Sequence, residues 1–293
     1  MAKNSYLDPI IIAQLGNLQL RARRILEGLY SGHHINLNRG QSQDFSEHRP
    51  YNPGDDLKRI DWKIYGRTDR LVVKQYEEQS NVSATIILDD SASMGYAWGG
   101  RPSKLEYAKV LAAAFAYLVV SQHDAVGLLS TRHSLPANSS LGHVDRFFQE
   151  LDQITPRGTW NPDAIARSLG TAMKKAGFVA IFSDLMAPSE PVINALRSIH
   201  ARKHEVMIFQ ILDPAERELP YSGSVMFEDS ETGEQLRTEP GAMREFYRRA
   251  VSERLTAFSH VFRGMGMDYL LLTSDTPFDR GLGAYLSWRG LNV

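Results

Sequence analysis

Residues 83–95 read SATIILDDSASMG. The apolar run at 84–88 is short and continuous, which is typical of a strand buried on both faces of a parallel sheet. The run ends at Asp89, and Ser91 and Ser93 follow at alternate positions. In open parallel sheets, ligands bind at the carboxyl ends of the strands. The stretch therefore predicts a buried strand that delivers polar side chains to a ligand-binding edge.

Downstream of this stretch, short apolar runs alternate with helical periodicity. Further strands are predicted at 125–129, 178–182, 205–212 and 269–272, and helices at 105–120, 144–151, 162–174, 191–200 and 277–288. A hairpin is predicted at 224–238 with its turn at Glu231-Thr232-Gly233, and a long amphipathic helix follows it. Strands that alternate with helices predict an α/β fold, in which helices cover both faces of a mostly parallel sheet.

Two segments of different character precede this region. Residues 1–45 predict a helix followed by a polar loop. Residues 46–82 are dense in charged, aromatic and turn-forming residues, and a short strand is predicted at 71–73. We therefore divide the chain into an N-terminal helix and loop (1–45), a charged segment that docks on the main domain (46–82) and the α/β domain (83–293).

The composition excludes several classes of protein. The 293 residues include 33 Lys+Arg, 34 Asp+Glu and no cysteine. A net charge of −1 argues against a nucleic-acid partner held by bulk electrostatics. Without cysteine there is no disulfide, zinc–thiolate site, iron–sulfur cluster or thiol nucleophile. The longest apolar run, 110–120, is too short to span a membrane, so we expect a soluble, cytoplasmic protein.

Further oxygen ligands follow two other predicted elements. Asp184 comes directly after the strand predicted at 178–182, and Thr159 precedes a helix start in the stretch RGTWNP. Carboxylates and hydroxyls without histidine or thiolate make a hard oxygen site that suits Mg²⁺ best, with Mn²⁺ or Ca²⁺ as alternatives. One coordination position stays open for a carboxylate from outside. The alternative is that Asp89 and Ser91 only cap the helix that follows them.

These residues resemble the metal-ion-dependent adhesion site of von Willebrand factor A domains. That site combines Asp-x-Ser-x-Ser after a hydrophobic strand, a Thr in a Gly-Thr loop and an Asp after a later strand. The resemblance implies a Rossmann-type fold and a Mg²⁺ that binds an Asp or Glu of a protein partner. Carried over by position, the metal ligands are Asp89, Ser91, Ser93, Thr159 and Asp184.

The charged segment extends the resemblance to about residues 20–290. The stretches FSEHRPYNPGDD (45–56) and RIDWK (59–63) resemble the hallmark of a bacterial group, domain-of-unknown-function family 58. In that group the segment precedes an A-type domain. Members are commonly encoded beside MoxR-type AAA+ ATPases, which implies such an ATPase as a partner in chaperone-like maturation or complex assembly.

Two interpretations of the charged segment remain open. Its charged residues form either a polar surface that contacts a partner, or internal salt bridges and turn caps with Trp62 as a buried anchor. We favour the second, because turn-rich charged segments with one Trp are usually architectural. The residues concerned are Arg49, Asp55, Asp56, Arg59 and Asp61.

The sequence favours an interaction module over an enzyme. It contains no Walker A or G-x-G-x-x-G pattern, so the chain is not itself the ATPase, and no G-x-S-x-G elbow supports serine catalysis. We predict that Mg²⁺ captures an acidic side chain of a protein partner, without catalysis. A Mg²⁺-dependent hydrolase and a structural scaffold with a vestigial site are the alternatives.

Overall fold

The structure is a computed structural model that describes residues 45–50, 60–76, 83–122 and 124–288. The chain divides into two compact units, of which one comprises residues 36–81 and the other the remaining residues. The helix predicted within residues 1–45 lies outside the described residues, as does the stretch 51–59 of the charged segment. The proposed domain boundaries, and the docking of residues 46–82 on the main domain, stay predictions.

The smaller unit contains a two-stranded antiparallel sheet. β1 (Phe45–Pro50) pairs with β2 (Val72–Tyr76), and α1 (Trp62–Thr68) lies between them in the sequence. Asp61 caps α1, because its Oδ1 accepts hydrogen bonds of 3.0 and 3.2 Å from two backbone N–H groups of the first turn. Asp61 is therefore a turn cap, as the architectural interpretation predicts.

Trp62 does not fit the architectural interpretation. The expectation that it is a buried anchor is wrong, since Trp62 is 59% exposed. It is the first residue of a short helix in which no residue is buried, and its ring contacts Tyr65 of the same helix edge to face. The helix thus presents its aromatic residues on its surface.

The larger unit is built on a six-stranded sheet. Its strands are β3 (Ser83–Leu88), β4 (Ala125–Leu129), β5 (Ser134–Asn138), β6 (Phe178–Ser183), β7 (Glu205–Leu212) and β10 (Asp268–Thr273). A separate hairpin consists of β8 (Val225–Glu228) and β9 (Gln235–Thr238). The order in the main sheet is β10-β7-β6-β3-β4-β5. Neighbouring strands are parallel except for β4 and β5, which pair antiparallel. The predicted α/β fold with a mostly parallel sheet is confirmed.

Helices cover both faces of this sheet. They are α2 (Lys104–Ser121), α3 (Leu141–Gln153), α4 (Pro162–Ala172), α5 (Ser189–Ala201), α6 (Pro214–Glu218), α7 (Pro240–Gly264) and α8 (Phe278–Trp288). One hydrophobic cluster joins α2, α3 and α8 to alternate residues of the strands, and a second joins α4, α5 and α7 to the residues between them. Among the described residues, none of the helices combines the length and apolar character needed to cross a bilayer.

One strand of the sheet has no counterpart in the sequence prediction. β5 carries only one buried residue, Leu135, and includes Pro136, so it shows no apolar alternation. Proline is tolerated there because β5 is an edge strand. Pairing with β4, rather than a local pattern, makes this segment a strand.

The strand order brings two strand ends together. The chain passes from β3 to β4 and β5 on one side, whereas β6 lies on the other side of β3, so the order reverses between β3 and β6. Leu88 pairs with Phe182, and the backbone N–H of Asp89 donates to the carbonyl of Phe182 at 2.9 Å. This reversal point is where ligands of doubly wound sheets bind.

Candidate metal centre

Asp89 is the buried centre of the site. Its side chain follows β3, and the residue is only 1% exposed. One carboxylate oxygen accepts the backbone N–H of Ser91 at 2.9 Å, and the other accepts the Ser183 hydroxyl at 2.5 Å. Burial and the nearby charge of Asp184 raise the pKa of Asp89 to about 7, although both hydrogen bonds lower it. Ionised Asp89 therefore carries an unfavourable charge, which a cation would stabilise.

The two serine hydroxyls link Asp89 to the next strand end. A 3₁₀ turn over Ala92–Gly95 places the Oγ atoms of Ser91 and Ser93 at 3.1 Å from each other. The Ser93 hydroxyl then donates to Oδ2 of Asp184 at 2.7 Å. Ser91 occupies the N-cap position of the turn, but its side chain makes no capping hydrogen bond. The capping alternative thus does not account for the Ser91 hydroxyl.

Asp184 lies at the end of β6, beside the Asp89 loop. Its Oδ1 accepts the backbone N–H of Met186 at 3.0 Å, and Gln210 donates to its backbone carbonyl at 2.8 Å. Leu185 adopts a left-handed conformation with φ 54°, which turns the chain sharply after the strand. The carboxylate is thereby held in place, only 1% of the residue being exposed.

A buried lysine pairs with Asp184. Lys104, the first residue of α2, is fully buried, and its Nζ lies 2.7 Å from Asp184 Oδ2 and 2.5 Å from Glu216 Oε1. Burial lowers the pKa of Lys104, but the charges of Asp184 and Glu216 and their hydrogen bonds outweigh this effect and raise it. Lys104 is therefore a resident cation of the site.

Sequence reasoning missed both Lys104 and Glu216. It considered only residues next to the motif, whereas Lys104 reaches Asp184 across 80 positions and Glu216 across 112. Lys104 could have been suspected, because it is a charge at the start of a helix that is otherwise almost wholly apolar. Glu216 also completes a capping box with Asp213 at the start of α6. The spacing of an acidic N-cap residue and a Glu three positions later is the pattern by which the sequence marks Glu216.

Thr159 approaches the same edge on its loop. The carbonyl of Gly158 accepts the backbone N–H of Ala92 at 2.8 Å, and the backbone N–H of Arg157 donates to the carbonyl of Asp90 at 2.8 Å. These bonds fix the loop beside the serine turn. The Thr159 side chain itself is exposed and is not part of the hydrogen-bonded set that the described residues form. The structure therefore brings four of the five predicted ligands into one hydrogen-bonded set, and Thr159 lies outside this set on the loop that Arg157 and Gly158 fix beside it.

Comparison with known proteins identifies the family. Residues 47–257 match the family described as "Protein of unknown function DUF58". The chain belongs to this family. An uncharacterized protein of Mycobacterium bovis is 29% identical over 284 residues, covering 94% of this chain and 88% of the relative. An uncharacterized protein of Mycobacterium avium is 30% identical over 151 residues, covering 48% of this chain and 85% of the relative.

Solved structures show more distant likeness to this DUF58 chain. BatB from Bacteroides thetaiotaomicron superposes with a TM-score of 0.47 and 16% identity, covering 72% of this chain and all of that one. An aerotolerance-related membrane protein from Bacteroides fragilis superposes with a TM-score of 0.46 and 20% identity, covering 69% of this chain and 96% of that one.

The charges and donor atoms of the DUF58 site fit a hard cation. Asp89 and Asp184 supply two buried carboxylates, and the ammonium of Lys104 pairs with Asp184 and with Glu216. The remaining groups are hydroxyls, which suit Mg²⁺, an ion that retains several of its waters. In the described ranges there is no group of three or more His, Asp or Glu side chains arranged to hold a metal ion. Any ion bound here would therefore rely on hydroxyls and water as well as carboxylates.

Proposed function

We propose that this DUF58 chain is a metal-dependent protein-interaction module. In this proposal Mg²⁺ is held by the two carboxylates and three hydroxyls of the site, and an acidic side chain of a protein partner completes its coordination. The ligands are Asp89, Ser91, Ser93, Thr159 and Asp184. The observation that supports it best is that the Asp89 carboxylate is buried and accepts its hydrogen bonds only from neutral groups, the Ser91 backbone N–H and the Ser183 hydroxyl.

Each residue has a distinct task in this proposal. A bound Mg²⁺ would supply the positive charge that attracts a carboxylate from outside. Ser183 and the Ser91 backbone hold Asp89 in a fixed orientation, through hydrogen bonds of 2.5 and 2.9 Å. Lys104 pairs with Asp184 and Glu216 and offsets part of their negative charge, whereas Asp89 has no cationic partner among the described side chains.

The proposal favours binding over catalysis. A hydrolase would need a base to activate water, and Lys104 is the basic side chain that contacts Asp184. Its raised pKa keeps Lys104 protonated, so it is a cation and not a base. Turnover of phosphate esters by the purified protein, lost in Asp184→Ala, would favour the hydrolase instead.

A thermal melt tests the metal site. With about 10 mM Mg²⁺ and a dissociation constant of about 1 mM, binding adds about 1.4 kcal/mol to the free energy of unfolding. We expect the melting temperature of the wild type to rise by a few degrees. The rise should vanish in Asp89→Ala and persist in Asp163→Ala, which removes an exposed carboxylate of α4. An equal rise in all three proteins would place the metal elsewhere.

The proposed partner is a MoxR-type AAA+ ATPase, with which the chain would act in protein maturation or complex assembly. This part of the proposal rests on the family resemblance of the charged segment and the adhesion-site pattern. The test is co-purification of the tagged chain with a MoxR-type ATPase from the same genome, in Mg²⁺ and in EDTA. We expect a complex in Mg²⁺ that is lost in EDTA and in Asp89→Ala. A complex that survives both treatments would contradict metal-dependent capture.

A further inference from the structure

The two edges of the main sheet differ in how readily they could pair with another strand. β5 forms one edge, and it carries Pro136 and only one buried residue. β10 forms the other edge, and its residues 269–273 read YLLLT, without proline or charge. Natural sheets block their edges with proline, charged residues or very short strands, because an open edge can pair with a further chain. The run 269–273 has none of these features.

The outer side of β10 carries backbone groups that do not bond to β7. In a parallel strand, the N–H and C=O groups of alternate residues face opposite neighbours. The backbone N–H of Ser274 donates to the carbonyl of Leu212 in β7 at 2.9 Å, which fixes the side of the strand that faces β7. The groups of the odd-numbered residues therefore face outward, and these residues are Tyr269, Leu271 and Thr273.

Two of these three residues have outward groups without a partner in the described part of the chain. Thr273 donates its backbone N–H to Thr276 Oγ1 at 2.9 Å, and its carbonyl accepts the backbone N–H of Thr276 at 2.7 Å. No described residue bonds to the outward groups of Tyr269 or Leu271. A further strand could bond to both residues, as happens when a peptide adds to an exposed sheet edge.

A groove of about 500 Å³ runs along this edge. Its lining includes residues 269–273 of β10, one face of α7 between Ser252 and Arg263, and Arg280 of α8. The α7 face presents the short hydroxyl side chains of Ser252, Thr256 and Ser259 to the groove. The strand edge is thus accessible along a channel that is walled by two helices.

The groove is positively charged. The arginines that line it are Arg217, Arg263 and Arg280, and among the described residues no Asp or Glu lines it. All three arginines are exposed. None of them takes part in the ion pairs that arginines form elsewhere in the described ranges. Three guanidinium groups without a counter-charge favour a negatively charged occupant.

We propose that the β10 edge binds an extended acidic segment of a partner protein, which adds to the main sheet as an additional strand. Backbone hydrogen bonds to Tyr269 and Leu271 hold the segment, and its carboxylates contact the three arginines of the groove. A second copy of this chain fits less well, because pairing two β10 edges would bring two sets of arginines together. None of the proposed metal ligands lines the groove, so this surface goes beyond the proposed function.

The test uses a synthetic peptide, followed by fluorescence anisotropy. The probe is a fluorescein-labelled peptide of alternating glutamate and valine with blocked ends, about six residues long, which is typical of a strand. A peptide of alternating lysine and valine has the same pattern and the opposite charge. Two further acidic peptides carry N-methyl groups on alternate residues, in one frame or in the other. An N-methylated residue donates no backbone hydrogen bond, so each frame blocks one edge of the peptide.

We expect the acidic peptide to bind the wild type and the lysine peptide not to bind. One N-methylated frame should bind as the parent peptide does, and the other at least about tenfold more weakly, because it loses its hydrogen bonds to the sheet. With saturating peptide, amide hydrogen exchange at Tyr269 and Leu271 should slow by at least about tenfold.

Charge variants test the arginines of the groove. The variant replaces all three by glutamine: Arg217→Gln, Arg263→Gln and Arg280→Gln. Its matched control removes the same charge from three exposed positions outside the groove: Arg146→Gln, Arg167→Gln and Arg249→Gln. Because single exposed charge pairs are weak, we expect the three groove substitutions together to weaken binding of the acidic peptide roughly tenfold. The control should bind as the wild type does.

The other outcomes overturn the inference in distinguishable ways. A wild type that does not bind the acidic peptide, or equal binding of the two N-methylated frames, would exclude strand addition. Equal weakening in the groove variant and its control would place the contact elsewhere. A dimer in which the amides of Tyr269 and Leu271 are already protected would make a second copy the occupant.

The candidate metal centre is tested separately with EDTA and Asp89→Ala. Peptide binding at the β10 edge should be unchanged by both, and it would stand even if the proposed metal-dependent function failed. If either treatment abolishes binding, the peptide carboxylates bind at the metal centre. That result would support the proposed function and overturn this inference.

Discussion

The Nζ atom of Lys104 lies 2.7 Å from Oδ2 of Asp184, the same oxygen that accepts the Ser93 hydroxyl. The Asp184 carboxylate therefore contacts both the buried ammonium at the start of α2 and the serine turn. The arrangement keeps Asp184 compensated in the absence of a metal, whereas Asp89 has no cationic partner among the described side chains. The two aspartates of the site therefore differ: Asp184 has a cationic partner, and Asp89 is the carboxylate that a bound cation would stabilise most.

Loss of the Lys104 ammonium should destabilise the fold. In Lys104→Met, Asp184 and Glu216 lose their cation while Asp184 stays fully buried. We expect the free energy of unfolding to fall by about 3–5 kcal/mol in urea denaturation. Lys175→Met, which removes an exposed lysine, should change it by less than about 0.5 kcal/mol. A loss below about 1 kcal/mol in Lys104→Met would show that the pair is not buried as described.

Stability without metal should increase as the pH falls towards 5. The pKa of Asp89 is about 7 in the folded state and 3.8 as its ordinary value, so between these values the folded chain holds a proton that the unfolded chain releases. The contribution of this group is therefore lost as the pH rises through 7. In EDTA, the wild type should gain about 3 kcal/mol between pH 8 and pH 5 relative to Asp89→Asn. Parallel pH profiles for the two proteins would contradict the raised pKa.

Metal binding should show the opposite dependence on pH. A protonated Asp89 is a poor metal ligand, so protons compete with Mg²⁺ below the pKa of about 7. We expect the rise in melting temperature with Mg²⁺ to be full at pH 8 and to fall away by pH 6. A rise that is the same at both values would mean that Asp89 does not ligate the ion.

Arg132 should act as a positioning residue for the Thr159 loop. Its guanidinium donates to the carbonyls of Arg157 and Thr155 at 2.9 and 3.0 Å, and its Nη2 lies 3.1 Å from Asp90 Oδ2. Lysine keeps the charge but cannot form this fork of contacts. We expect Arg132→Lys to weaken Mg²⁺ binding by about tenfold in calorimetric titration, within the range reported for outer-shell partners. Arg146→Lys, on the exposed face of α3, is the control and should bind as the wild type does.

Much of the fold could be predicted from the sequence because it is encoded in local patterns. The strands at 125–129 and 205–212 match the observed β4 and β7 without change, and the hairpin is confirmed with its turn at the predicted Glu231-Thr232-Gly233. The edge strand β5 could not be found in this way, because its single buried residue, Leu135, carries no periodicity. Trp62 was placed in the interior from its residue type, whereas its position at the start of a surface helix leaves it exposed.

The sequence by itself indicated that Asp89, the two serines and Asp184 could form a hard oxygen site, because each follows a buried strand and the carboxyl ends of parallel strands lie at the same edge of the sheet. Tertiary structure decided what surrounds them. The reversal of strand order sets Asp184 beside Asp89, α2 brings Lys104 to Asp184, and the hairpin lines a cavity together with Ser93. These contacts join residues far apart in the chain. No local pattern encodes them, since they arise only when the sheet orders its strands.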